Sequence, residues 1–140
     1  MIKTSVITEW KNGMHFSSII DGHQLNIDAH KDFGGEDLGP SPKKLLLSGL
    51  AGCTGMDVVS ILKKMKLNLT FFNIIVNADL TEEHPKFYKN IEIVYQFKKT
   101  DNLSDEKVKR AIELSQEQYC GVAHMFRQFA TITHNIEYLD

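Results

Sequence analysis

Arginine is nearly missing from this 140-residue chain: Arg110 and Arg127 are the only two, and lysine supplies the remaining positive charge. Cysteine occurs twice, as Cys53 and Cys120, too far apart in sequence for CxxC chemistry or zinc-ribbon spacing. The six histidines show no HxxxH or HExxH spacing, so no metal site is predicted from them. The glycine-containing stretch GGEDLGPSPKK lacks the GxxxxGK[ST] order of a phosphate-binding loop, and no GxSxG elbow is present. A formal net charge of −2 gives no reason to expect nucleic acid or an anionic membrane as partner. The opening residues MIKTSVITEW carry no apolar stretch of the kind a secretory signal needs, so the cytoplasm is the default. In that compartment two cysteines read as free or redox-active rather than as a structural staple.

The stretch around which the chain is organised is Ser41–Lys66, SPKKLLLSGLAGCTGMDVVSILKKMK. Between Leu45 and Leu62 nearly every residue is apolar or small, and Asp57 is the only charge. A helix that is apolar on all sides is normally buried on all sides. Ser41 suits the N-cap, Pro42 the first helical position, and Lys63, Lys64 and Lys66 the negative C-terminal dipole. The run is long enough to span a membrane, but Asp57, the glycines and the polar Ser48, Thr54 and Ser60 argue against that reading. Gly49, Gly52 and Gly55 flank Cys53, and glycine disfavours helix by roughly 1 kcal/mol per position. Their recurrence predicts a close neighbour on that surface: a helix, a second subunit or a ligand.

Upstream, Thr4–Trp10, Met14–Ile20 and His23–Ala29 read as a three-stranded meander. Asn12-Gly13 and Asp21-Gly22 lie between them as hairpin turns. Residues 31–40 are a loop. Downstream, Phe72–Leu80 and Tyr88–Phe97 are strands, and Ile91, Ile93, Tyr95 and Phe97 alternate with polar residues as a buried face. Ser104 caps a second helix whose apolar stripe is Val108, Ala111, Ile112, Ser115, Tyr119, Val122 and Phe126, with a break at Gly121. A last strand covers about 130–138. No repeat, linker or low-complexity tract interrupts residues 1–140, so one domain is expected. The order βββ-α-ββ-α-β points to an α+β fold with antiparallel sheets.

Cys120 falls one position off the stripe. A short helix starting there would aim its N-terminal amides at the sulfur and favour the thiolate. His124 is at i+4 from Cys120, on one helix face with it, where a cationic imidazole would lower the thiol pKa; it reads more simply as a surface or interface histidine. Asp57 is at i+4 from Cys53, where an acid raises rather than lowers a thiol pKa, so it reads as a structural hydrogen-bonding group. A free cysteine is often no more than a small buried hydrophobe, and that reading stays open for both.

Taken together, GPSPKKLLLSGLAGCTGMDVVSILKK, the later LSQEQYCGVAHMF and the final ITHNIEY resemble the OsmC/Ohr superfamily, nearest its YhfA-like branch, over nearly the whole chain. The resemblance implies an intertwined homodimer in which sheets of both subunits enclose long central helices. It implies thiol-dependent reduction of organic hydroperoxides, with Cys53 as the peroxidatic and Cys120 as the resolving cysteine. A thiol reductant of unknown identity would reset the pair, and no metal or prosthetic cofactor is needed. Two features depart from the family. Its peroxidase branches hold the thiolate ready with an arginine from the N-terminal strands and a glutamate at the start of the central helix. Here no arginine precedes Arg110, and Lys43 stands at the glutamate position. Two functions follow: a cysteine-based redox enzyme acting on hydroperoxides or disulfides in oxidative-stress defence, or a non-catalytic dimeric module that binds a small apolar or electrophilic ligand beside Cys53.

Overall fold

Two turns with glycine at their tips shape the N-terminal meander of strands β1 (Ile7–Asn12), β2 (His15–Ile20) and β3 (His23–Ile27), which pair antiparallel in the order β1-β2-β3. Asp21 and Gly22 both take positive φ, as a type I′ turn requires. At the other turn only Gly13 does, and a bulge between Trp10 and Asn12 absorbs the difference. A computed structural model describes all 140 residues. They form two compact units, Met1–Leu46 and Leu47–Asp140, whose boundary falls inside the long helix.

In the first unit the loop after β3 folds around Asp28. Its carboxylate accepts hydrogen bonds from the backbone N–H groups of Ala29 (2.7 Å), Glu36 (3.3 Å) and Leu38 (3.2 Å). Burial pushes this carboxyl up, but the three amides outweigh it and hold it below the usual carboxylate range. Gly35 and Gly39 are needed here, since a Cβ on either would run into the carbonyls of Ala29 and Asn26. The meander buries little of its own: Ser17 and Ser18 are its buried residues, while Ile7, Trp10, Phe16 and Ile19 are exposed.

Helix α1 (Pro42–Lys64) matches the predicted central helix to within two residues at its end. By length and composition it is the one helix able to cross a membrane. Only one line of it is buried, Leu50, Thr54, Val58 and Leu62, four residues apart along one face. Burial on all sides is therefore not achieved within one chain: Leu46, Met56 and Val59 are exposed. The close neighbour expected at the glycines comes from the same chain at one position only. A Cβ at Gly55 would approach Ile74 Cδ1 at 2.9 Å, but Gly49 and Gly52 face open space.

The second unit carries the core. Strands β4 (Phe72–Leu80) and β5 (Tyr88–Lys98) pair antiparallel, and β5 presents Ile91, Ile93, Tyr95 and Phe97 as the expected buried face. Leu50, Val58 and Leu62 belong to the same buried cluster, with Val108, Ala111, Ile112, Ala123 and Phe126. Those last residues come from α2 (Asp105–Leu114) and α3 (Gly121–Phe126), which are joined by a π-helical turn, Ser115–Tyr119. Ser104 caps α2 by accepting from Lys107 N–H. Strand β6 (Thr131–Leu139) then pairs with β5 in parallel. The α+β class and the two sheets stand, but this one pairing corrects the all-antiparallel expectation. The helical connection between β5 and β6 returns the chain to the far end of the sheet, as a crossover does and a hairpin cannot.

Candidate active site

Helix α1 sets Cys53 and Asp57 one turn apart on the same face. Cys120 reaches them because of the π-helical turn. A π turn inserts about one extra residue per turn and so rotates everything after it. On a continuous α-helix the buried stripe would run through Tyr119. Here Ser115 is buried as the stripe expects, but Tyr119 is exposed, and Gln116 and Cys120 are buried instead. Cys120 is the extended residue that ends this turn and caps α3, which begins at Gly121, the predicted break.

The result is a cluster. The sulfurs of Cys53 and Cys120 and a carboxylate oxygen of Asp57 all lie within 4.8 Å of one another. Cys53 and Asp57 are half-buried, whereas Cys120 is 3 % exposed. Both thiols are free. Ser115 Oγ donates to Asp57 Oδ2 at 2.9 Å, which confirms the hydrogen-bonding role read for Asp57. Behind it, Thr54 Oγ1 meets Tyr95 Oη at 2.7 Å and Ser115 Oγ at 2.8 Å, and Gln116 Nε2 donates to Tyr95 Oη at 2.8 Å. No buried side-chain polar atom is left without a partner. Nothing in the hydrophobic pattern marks Thr54, Ser115 and Gln116 as a network. Polar residues at core positions, Thr54 in an otherwise apolar run and Ser115 on the predicted stripe, were the one available signal.

The amide effect expected at Cys120 is present but loses. Ala123 N–H donates to Cys120 Sγ at 3.3 Å and favours the thiolate. Burial works the other way, as do the neighbouring Cys53 thiol and the nearby charge of Asp57, and the thiol is pushed up to about 11. Cys120 is accordingly a protonated thiol beside Cys53 at neutral pH. His124 is exposed and forms no contact with the sulfur, in line with its surface reading. Lys43 is ten residues from Cys53 along the unbroken α1, about 15 Å of helix rise, so it supplies no contact from its own chain. Beside Asp57 lies a hollow of about 310 Å³ lined by Asp57, Ser60, Ile61, Lys64, Leu114 and Tyr119.

Residues 34–135 match the family model described as OsmC-like protein. Protein YhfA of Escherichia coli K12 is 33% identical over 130 residues, covering 92% of this chain and 93% of YhfA. A crystal structure of a hypothetical protein from Aquifex aeolicus superposes over the whole of both chains with a TM-score of 0.82 and 28% identity. An organic hydroperoxide resistance protein OsmC from Legionella pneumophila shares the fold at 16% identity, with a TM-score of 0.70 over 98% of this chain and 99% of that one. The two cysteine-bearing segments, the long helix, the two small sheets and these likenesses agree: the chain belongs to the OsmC-like family, in its YhfA branch.

Proposed function

We propose that this protein is a cysteine-based redox protein that reduces organic hydroperoxides, with Cys53 as the attacking and Cys120 as the resolving residue. The carrying observation is the approach of the two sulfurs to within 4.8 Å on elements far apart in sequence. The different burial of the two thiols supports the division of roles. Half-buried Cys53 is the one a substrate can reach, and buried, protonated Cys120 lies behind it. Cys53 thiolate attacks the terminal peroxide oxygen, the O–O bond breaks, and the leaving alkoxide takes a proton to become the alcohol. The sulfenic acid so formed condenses with Cys120: an S–S bond forms and hydroxide leaves with the Cys120 proton as water. A dithiol reductant of the cytoplasm returns the pair by exchange. The hollow beside Asp57, walled by Ile61, Leu114 and Tyr119, suits the organic part of such a substrate.

The test is thiol chemistry by residue. One equivalent of cumene hydroperoxide should produce a Cys53–Cys120 disulfide by peptide mapping. Cys120→Ser should permit a single oxidation and then stall, and Cys53→Ser should consume no peroxide while remaining folded. Equal consumption by wild type and Cys53→Ser would remove the enzymatic reading. A second reading, a non-catalytic module for small apolar ligands, is favoured by one observation, the lack of any arginine before Arg110 to hold the thiolate. It predicts peroxide consumption no faster than that of a free thiol.

The reading includes a homodimer. The support is apolar surface that one chain leaves uncovered: Met56 is 76% and Trp10 61% exposed, on α1 and on β1. A second copy of the chain is the occupant that the family likeness favours.

A further inference from the structure

Deprotonated, Cys53, Cys120 and Asp57 bring three negative charges within 4.8 Å of one another, and none of the chain's ion pairs reaches Asp57. A site that gathers two thiolates and a carboxylate without a cation of its own is matched by a thiophilic metal ion, which supplies the charge and takes these atoms as ligands. The geometry fits. Zinc held tetrahedrally at about 2.3 Å from each thiolate sets the sulfurs about 3.8 Å apart, so small side-chain rotations complete the set. Two of the three donors stand at i and i+4 on α1, the spacing by which a helix presents paired metal ligands. The third is fixed at the start of α3.

Outer contacts are already made. Ser115 Oγ orients the Asp57 carboxylate, and Ala123 N–H points at Cys120 Sγ. Such second partners fix first ligands in metal sites. Entry is provided as well, because Cys53 and Asp57 are half-buried and Asp57 opens on the 310 Å³ hollow. We propose that reduced Cys53, Cys120 and Asp57 bind one zinc ion per chain, leaving a fourth position for water or an external donor. Histidine spacing gave no hint of it, since none of the six histidines takes part. This site stands independently of peroxide chemistry, although an ion there would occupy the same two sulfurs.

The experiment uses the full-length, tag-free, reduced chain. Cobalt(II) titration should give a saturable thiolate-to-metal charge-transfer band at one equivalent per chain, displaced by zinc(II). The band should vanish in Cys53→Ser and Cys120→Ser, and apparent affinity should fall at least tenfold in Asp57→Asn. Because a cysteine variant can lose its fold, a second measurement is made on wild type. Saturating zinc(II) should protect both Cys53 and Cys120 from iodoacetamide, and a chelator should restore both. Absence of a saturable band, binding undiminished in folded Cys53→Ser, or unchanged alkylation of both cysteines with zinc overturns the proposal. Peroxide consumption by the metal-free chain is read separately, so either idea can fail alone.

Discussion

At the scale of single residues, the site is a polar seam set into an apolar core. Thr54 is fully buried, and its hydroxyl touches Tyr95, Ser115 and Gln116 at once. Removing one member of a buried network costs the desolvation of the groups left behind, about 1–3 kcal/mol. Thr54→Val keeps the shape and deletes the hydroxyl, so it should lower unfolding free energy by about that amount. Urea denaturation with an unchanged m-value measures it. The same substitution should leave peroxide consumption within a few-fold of wild type, since Thr54 touches neither sulfur in the hydrogen-bond pattern. The Cys53 and Cys120 variants should behave oppositely, losing the proposed chemistry rather than stability.

At the scale of elements, the π-helical turn decides whether there is a site at all. It takes Tyr119 out of the core and puts Cys120 in. Deleting Gln118 should restore plain α-helical phase and rotate Cys120 by about 100°, one residue's worth of helix. The far-UV signal should barely change, whereas the Cys53–Cys120 disulfide should no longer form with one equivalent of peroxide. Retention of that disulfide in the deletion variant would show that the turn is not what brings the cysteines together. The glycines of α1 make a related point. Gly55 is close to Ile74 Cδ1, but Gly49 and Gly52 meet nothing in their own chain, so substituting them tests only what a second chain brings.

At the scale of the whole molecule, assembly and alkaline stability can be predicted. An obligate homodimer with an interface above about 2,000 Å² should scatter light as twice the chain mass at micromolar concentration. Met56→Glu, on the exposed face of α1, should yield monomer or aggregate; a well-behaved wild-type monomer would end the idea. Alkaline stability follows from Tyr95 and Tyr138. Burial raises Tyr95, against its hydrogen bonds to Thr54 and Gln116. Burial also raises Tyr138, helped by the bond it donates to Asp105 at 2.6 Å. Both phenols keep their protons longer in the folded chain than the unfolded reference of about 10. Their contribution is therefore complete below about pH 10 and is lost as pH climbs toward the folded values. The urea midpoint should fall between pH 9 and 11, and less steeply in Tyr138→Phe.

Much of this is legible in the sequence. Apolar run, cap and turn chemistry are local properties, and they located α1, the Asp21-Gly22 hairpin, β4 and the buried face of β5 to within a residue or two. The pairing of β6 was not local. A strand's own pattern does not say which way its neighbour runs, and the parallel register with β5 exists only because the α2–α3 connection crosses over. The identity of the two cysteines was readable, but their meeting was not. Helical periodicity placed Tyr119 on the buried stripe, and one extra residue in a π-helical turn, held by the packing of Ser115 and Gln116 against Thr54 and Tyr95, turned Cys120 inward beside Cys53 and Asp57. The sequence by itself determined which residues are candidates for the chemistry; only the tertiary structure decided that they share a site, because their separation depends on contacts between segments about 60 residues apart.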